Sequence, residues 1–529
     1  MIGEIESSFQ GMEGHGTIMR KHHILTAVAA AAVFSLGAST LAFADEEPVS
    51  GGTFTYARAD STTSFDLHQE ITSNNAFAID KVFESLVTFD NDGNITDWLA
   101  ESHEISDDGL VYTFTLRDGL KFSDGTDVTA EDVRFSIERH LEVGGSLPIE
   151  ADVTSVEALD EKTVQITLGT AYTPFLSELA NFSNGIIPKD FGGKTEEEFF
   201  KNPVGTGPFV VSEWDPSGDL TFVKNEYYWQ EGKPYLDELV YKVVDDDNQA
   251  LNQLLAGEID GIEDLSLSNA ATVDGNAETT TATSFSYNVE ELFFNTLDEH
   301  FSDEHVRRAL AMAIDRESLT QALTFGYAEI ANTVLPRALL YQTNDTVNAL
   351  AYDIDAAKEE LAKSAYPDGF DTTISIASGN NTRLQEAQII QAAGTQIGIN
   401  IEINAQEIST FRADFRDLNF SMMINSATAD YPDANSIFAF QVDPDGWSKC
   451  YWTSYNNETA ADLMRQGQVT PDGDDRADVY EELQQILADE VPYIPLYNSE
   501  NVVGLRDNVE GCNVLPNGSV HFEDVYFEE

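Results

Sequence analysis

The chain has 529 residues, 42% of them hydrophobic, which suffices for a large core and exceeds the usual size of one domain, so two or more lobes are expected. Its 93 Asp and Glu against 28 Lys and Arg give a formal net charge of -65, which repels nucleic acid and anionic membranes and sets both aside as partners. The acidic excess is spread along the chain, and such a surface repels itself unless salt shortens the screening distance to about 8 Å or less, which points to a marine or halophilic habitat.

Residues 1–18 read as an upstream extension and 19–44 as a cleavable export signal. After Met19, Arg20-Lys21-His22-His23 form a basic start, 24–41 an apolar stretch rich in small residues, and Ala42-Phe43-Ala44 a processing site, with cleavage expected before Asp45. The apolar run is short and Ala-rich for a membrane anchor. No Cys stands near the cleavage site, so the product is expected to be periplasmic and not lipid-anchored. Only Cys450 and Cys512 are present, and in an oxidising compartment they either pair or stay as separate buried thiols.

The mature chain opens with a short strand, 51–60, that ends on two charged side chains, Arg58 and Asp60. Phe77, Ile79, Val82, Phe83 and Leu86 recur at roughly helical spacing and predict a helix over 77–87. Residues 111–116 alternate as a strand, Asp124-Gly125 is a turn, and Thr129-Ala130-Glu131-Asp132 is a capping box ahead of a helix over 133–139. Every charge there has a role in a cap, a turn or a solvated face. Strong turn signals at Asn202-Pro203 and Gly205-Thr206-Gly207-Pro208 precede a hairpin, 209–214 and 220–224, closed by Pro216-Ser217-Gly218-Asp219. A strand over 235–244 and a helix over 248–257 follow.

Further on, 303–325 reads as a pair of amphipathic helices whose Arg307, Arg308 and Arg316 are expected to cap and bridge them. A strand over 371–377, a helix over 384–397 and strands over 399–403 and 418–426 make a βαβ unit with parallel pairing. Ligands in open α/β sheets sit beyond the carboxyl ends of the strands. Two loops leave such ends: 378–383, at a helix amino terminus with Asn380, Asn381 and Arg383, and 427–433, with Asp430, Tyr431 and Asp433.

The phrase N-P-x-G-T-G-P-F followed by E-W, a hairpin and N-x-x-Y-W, at 202–229, resembles the family 5 solute-binding proteins of ABC importers, which take up dipeptides, oligopeptides, nickel complexes and some oligosaccharides or opines. Other phrases fall in that family's order: 83–87 is similar to Y-E-x-L-V, 254–260 to L-x-x-G-E-I-D, 306–316 to V-R-x-A-x-x-x-A-I-D-R, and 427–434 to W-x-x-D-Y-x-D-P. The resemblance covers nearly all of 51–529. It implies an α/β, two-lobed periplasmic-binding-protein fold of type II, the venus-flytrap form. Lobe 1 would hold 45–290 and 498–529 with an extra β-rich subdomain over about 90–185, and lobe 2 would hold 291–497. It also implies closure about crossovers near 290–295 and 495–498, delivery of a small solute, most simply a short peptide, to a membrane permease, and action as a monomer. By the same resemblance Cys450 falls on lobe 2 and Cys512 on lobe 1.

In the peptide binders the first Asp of the D-Y-x-D phrase receives the ligand's α-amino group, and Asp430 stands there. The phrase's Trp is missing, with Ser426 or a neighbour in its place, and Ala434 replaces the final Pro. The Arg that holds a dipeptide's carboxylate in some relatives has no clear equivalent, which weighs against strict dipeptide recognition. Arg58 and Trp447 complete the candidate ligand set; Tyr431 or Trp447 would stack on a sugar if the solute were an oligosaccharide. Another amine-bearing solute or an opine is a further alternative. No metal or cofactor is expected, because His68, His103, His140, His300, His305 and His521 all lie outside the two loops. No G-x-S-x-G or H-E-x-x-H occurs, and 188–195 lacks the first P-loop glycine at Pro188, so an enzyme is not expected. A signalling or scaffold role is the remaining alternative.

Overall fold

The computed structural model describes residues 48–69, 72–445 and 453–528; the export signal, Trp447 and Cys450 lie outside the described residues. The strands that matter for the site are β1 (Thr53–Arg58), β2 (Ala100–Ile105), β3 (Val111–Leu116), β4 (Val153–Ala158), β5 (Thr163–Leu168), β6 (Phe209–Trp214), β7 (Leu220–Lys224), β8 (Glu238–Val243), β9 (Gly261–Ile262) and β10 (Thr279–Phe294). After them come β11 (Ala328–Ile330), β12 (Phe370–Ala377), β13 (Ile399–Gln406), β14 (Met422–Thr428) and β15 (Tyr493–Arg506). An eleven-stranded sheet has the order β13-β12-β14-β10-β15-β9-β1-β8-β7-β6, with β11 beside β15. A separate antiparallel sheet has the order β2-β3-β5-β4.

The large sheet joins two parallel sets, β1 with β8 and β9, and β12 with β13 and β14, through two long antiparallel strands, β10 and β15. This is the two-lobed α/β fold, with the small sheet as its extra β-rich part. β12 is buried along nearly its whole second half, as a parallel strand covered on both faces must be. β3 alternates instead, burying Tyr112, Phe114 and Leu116 on one face. The register aims the two parallel sets at each other. Ile262 at the end of β9 lies opposite Gly504, and Thr428 at the end of β14 lies opposite Asn288. Both carboxyl ends therefore face the middle of β10 and β15, where the pairing slips between Phe285 and Val289. The crossovers are longer than the short stretches expected at 290–295 and 495–498, since β10 and β15 run through as strands of 16 and 14 residues.

The helices used below are α1 (Ala130–Val143), α2 (Glu304–Ala313), α3 (Arg316–Leu323), α4 (Asn381–Gln396), α5 (Ala434–Gln441) and α6 (Asp474–Glu490). α1 starts at the expected capping box, where the Thr129 N–H donates to Asp132 Oδ2 at 2.8 Å. The expected helix over 77–87 is instead Ser73–Ile79. Beyond it, Lys81 reaches the distant carboxyl-terminal segment at Ser519 Oγ (3.0 Å) and the Val520 carbonyl (2.5 Å). The Lys81 and Val82 carbonyls accept from the Phe209 and Gly207 N–H groups at 3.1 and 2.9 Å. That contact explains the G-T-G-P phrase: a Cβ at Gly205 or Gly207 would collide with the Val82 or Lys81 carbonyl. The expected strand over 418–426 is shifted to Met422–Thr428, because Leu418 has φ 57° in the turn that ends a helix, Ile408–Arg416, unseen in the sequence reading.

Candidate functional site

The loop after β14 carries Asp430 to the mouth of a cavity of about 550 Å³. One wall comes from 430–443 with Gln468, the other from 145–150 and 178–184 beside the small sheet. The walls are tied together by polar contacts. Asn181 Nδ2 donates to the Asp430 carbonyl at 2.8 Å, the Thr173 N–H to the Gln468 carbonyl at 2.7 Å, and Thr173 Oγ1 to the Thr470 carbonyl at 2.9 Å. The Asp430 N–H donates to Ser436 Oγ at 2.8 Å, which fixes the loop's direction.

The Asp430 carboxylate has no hydrogen-bond or ion-pair partner among the described residues. The residue is exposed, and its carboxyl is set in the cavity wall. Partial desolvation there, with Glu150 nearby, pushes its pKa up to about 6. Tyr431 is buried beside it, its hydroxyl 3.2 Å from both Tyr172 Oη and Asn435 Nδ2. Tyr172 Oη in turn donates to Glu150 Oε2 at 3.3 Å. Glu178 is 4% exposed; its carboxyl accepts only long bonds, from the Glu150 N–H (3.3 Å) and the Ala151 N–H (3.4 Å). Burial and then Glu150 push the Glu178 carboxyl well above the usual range, and burial raises Glu150 as well. Asp443 is the fourth acid in the lining and pairs with Arg465 at 3.1 Å. No Lys, Arg or His is among the described lining residues.

Of the candidates from sequence, Asp430 and Tyr431 are brought together here. The other described candidates are placed elsewhere. Asp433 is a correction: it is 6% exposed, caps α5 through the Asn435 N–H, and gives both oxygens to the fully buried Arg476 at 2.7 and 2.9 Å. Arg383 is a second correction, since its guanidinium is held by Glu290 on β10 at 2.6 and 3.1 Å and by Ser426 Oγ at 3.2 Å. Asn380 caps α4 by accepting from the Arg383 N–H at 3.0 Å, and Asn381 is an exposed first residue of that helix. Neither Asn lines the cavity. Trp447 lies outside the described residues.

Arg58 lines a second cavity, of about 710 Å³, beyond the carboxyl ends of β1, β8 and β9, with Asn288 of β10 on its edge. The side chain is 2% exposed and already engaged by Glu263 at 2.9 Å, the Asn74 carbonyl at 3.0 Å and the Tyr241 ring at 4.6 Å. Glu150, Glu178, Asn181 and Tyr172 were missed from sequence. The one signal was Glu178, a carboxylate inside the apolar run 174–187.

Arg307 and Arg308 of α2 and Arg316 of α3, expected to cap and bridge that helix pair, instead tie it to neighbouring segments. Arg307 donates to the Glu490 and Val491 carbonyls, Arg308 pairs with Glu360 at 3.2 Å, and Arg316 binds the Ala331 and Pro495 carbonyls. Among the described residues no helix is long and apolar enough to cross a membrane, and no cluster of His, Cys, Asp or Glu has the arrangement of a metal site. Cys512 is a half-buried thiol that burial pushes up to about 12.

The chain is similar to the glutathione-binding protein GsiB of Escherichia coli K12, at 28% identity over 452 residues, covering 84% of this chain and 88% of the relative. Among solved structures it resembles the ABC transporter-associated periplasmic binding protein DppA of Helicobacter pylori in complex with the peptide STSA. That match has 27% identity and a TM-score of 0.75, and covers 91% of this chain and 99% of that one. It also resembles AgaA of A. tumefaciens R10 in complex with agropinic acid, at 26% identity and a TM-score of 0.75, covering 90% and 99%. The sequence model for the middle part of the bacterial extracellular solute-binding proteins, family 5, matches residues 94–449, more than half of the chain. On that match, together with the two-lobed sheet and the cavity between its walls, the chain belongs to the bacterial extracellular solute-binding proteins, family 5.

Proposed function

We propose that this protein captures an amine-bearing, peptide-like solute in the cavity at Asp430 and delivers it to an ABC permease. One observation carries the reading: a desolvated carboxylate, Asp430, faces a cavity of about 550 Å³ with no partner among the described residues. A carboxylate in a cavity wall whose described residues offer no cation is matched by a solute ammonium through a charge-assisted hydrogen bond. Relatives that bind a peptide, an opine and glutathione support a solute with an amino-acid character. Glutathione itself fits poorly, because it carries two carboxylates and the described lining offers no cation.

In this reading lobe 1 is 45–290 with 498–529 and lobe 2 is 291–497, and the lobes close about β10 and β15. The solute favours the closed form because it touches both walls at once. Export through the signal at 19–44 would place the protein in the periplasm, without a lipid anchor and as a monomer. Native mass spectrometry of the protein as purified from cells tests the proposal. A bound adduct that releases an amine-bearing small molecule supports it; an anionic solute without an amine would overturn it.

A further inference from the structure

Besides Asp430, the cavity is lined by two more acidic side chains that have no cation beside them among the described residues, Glu150 and Glu178. Glu150 raises the carboxyls of both Asp430 and Glu178. The two glutamates belong to the wall at 145–184, opposite the Asp430 loop. Neither has a counter-ion among the described residues: Glu150 accepts from Tyr172 Oη at 3.3 Å, and Glu178 accepts only two backbone N–H groups at 3.3 and 3.4 Å. Elsewhere Asp433 is answered by Arg476 and Glu263 by Arg58, whereas the buried Glu291 has only the Gln441 amide. Glu178 lines the cavity, whose volume of about 550 Å³ is large enough for a side chain.

We propose that Glu150 and Glu178 form a second cation subsite, so that the solute presents two cationic groups: a peptide whose first residue is Lys or Arg, with its ammonium on Asp430 and its side-chain charge on the two glutamates. This rests on the preceding reading of the Asp430 cavity. A free diamine offers the same two charges without a peptide backbone. Burial and Glu150 raise the Glu178 carboxyl well above the usual range, and a cation seated beside it acts in the opposite direction, which favours proton release on binding.

Calorimetric titration of the full chain with Lys-Ala-Ala, norleucyl-Ala-Ala and cadaverine tests this, since norleucine keeps the four-carbon chain of Lys and lacks its terminal ammonium. Lys-Ala-Ala is expected to bind roughly 10- to 100-fold tighter than the norleucyl peptide. Glu150→Gln and Glu178→Gln should each erode that ratio while leaving the norleucyl affinity in place. Titrations in buffers of different ionisation enthalpy should show more protons released by the lysyl peptide. Cadaverine binding as tightly as the peptide would support the dication and identify a free diamine as its source. Equal affinity for the lysyl and norleucyl peptides, with both weakened by Asp430→Asn, would overturn the second subsite and leave the first. If neither peptide nor cadaverine binds, both readings fail.

Discussion

Arg383 and Glu290 form a two-pronged ion pair, Nε to Oε1 at 2.6 Å and Nη2 to Oε2 at 3.1 Å, that ties the first turn of α4 to the crossover strand β10. A second carboxylate, Glu386, lies one turn along α4 and accepts from Tyr497 Oη of β15 at 2.5 Å. One guanidinium thus serves two buried acids. Replacing Arg383 by Met leaves both without a cation, and the expected loss is about 3 to 5 kcal/mol, read as a lower urea midpoint. A loss under about 1 kcal/mol would show that the pair is solvated.

The same cluster makes stability depend on pH. Burial and Glu290 push the Glu386 carboxyl up to about 8, above the ordinary value of about 4.3 that it has when unfolded. The folded state therefore holds the extra proton. This group's contribution is fully present below about pH 4 and is lost as pH rises through about 8, by at most about 1.4 kcal/mol per pH unit. Glu386→Gln keeps the Tyr497 hydrogen bond and removes the titration. Urea unfolding from about pH 5 to 9 should show a smaller decline for the variant than for the wild type; parallel declines would contradict the assignment.

The Asp433 and Arg476 pair is a fixed part of the frame, with Arg476 fully buried under the Tyr341 and Tyr480 rings at 5.5 and 5.1 Å. Asp433→Ala removes a helix cap and strands a buried guanidinium, so a loss of about 3 to 5 kcal/mol is expected in thermal unfolding. A variant that keeps its melting temperature while losing solute affinity would return Asp433 to the binding site.

How much of this could be read from the sequence varies with how local its cause is. The hairpin of β6 and β7 was legible, because alternation and the turn at 216–219 set both ends within a few residues. The helix at Ser73–Ile79 was drawn too long, since it stops where Lys81 and Val82 meet chain from 207–209 and 519–520. Asp430 was legible as the end of a parallel strand. That Asp433, three residues on, points inward is decided by Arg476, which lies 43 residues away in sequence. Glu150 and Glu178 became visible only when the fold set them about 250 to 280 residues across from the Asp430 loop.

The net charge of -65 predicts a strong response to salt. Raising NaCl from about 0.1 to 1 M shortens the screening distance from about 10 to 3 Å and relaxes the self-repulsion of the acidic surface. The urea midpoint should rise steadily over that range. A flat or falling midpoint would remove the argument for a saline habitat.

The central claim, that Asp430 receives the solute's ammonium, is tested most directly by titrating Lys-Ala-Ala into the wild type and into Asp430→Asn from about pH 5 to 8. With its carboxyl at about 6 in the empty site, Asp430 must lose a proton to pair with the ammonium, so wild-type affinity should rise with pH through that value. The variant keeps the shape and lacks the charge. It should bind roughly 30- to 150-fold more weakly, a loss of about 2 to 3 kcal/mol, and lose that component of the pH dependence. Undiminished affinity with the same pH profile in both proteins would contradict the account.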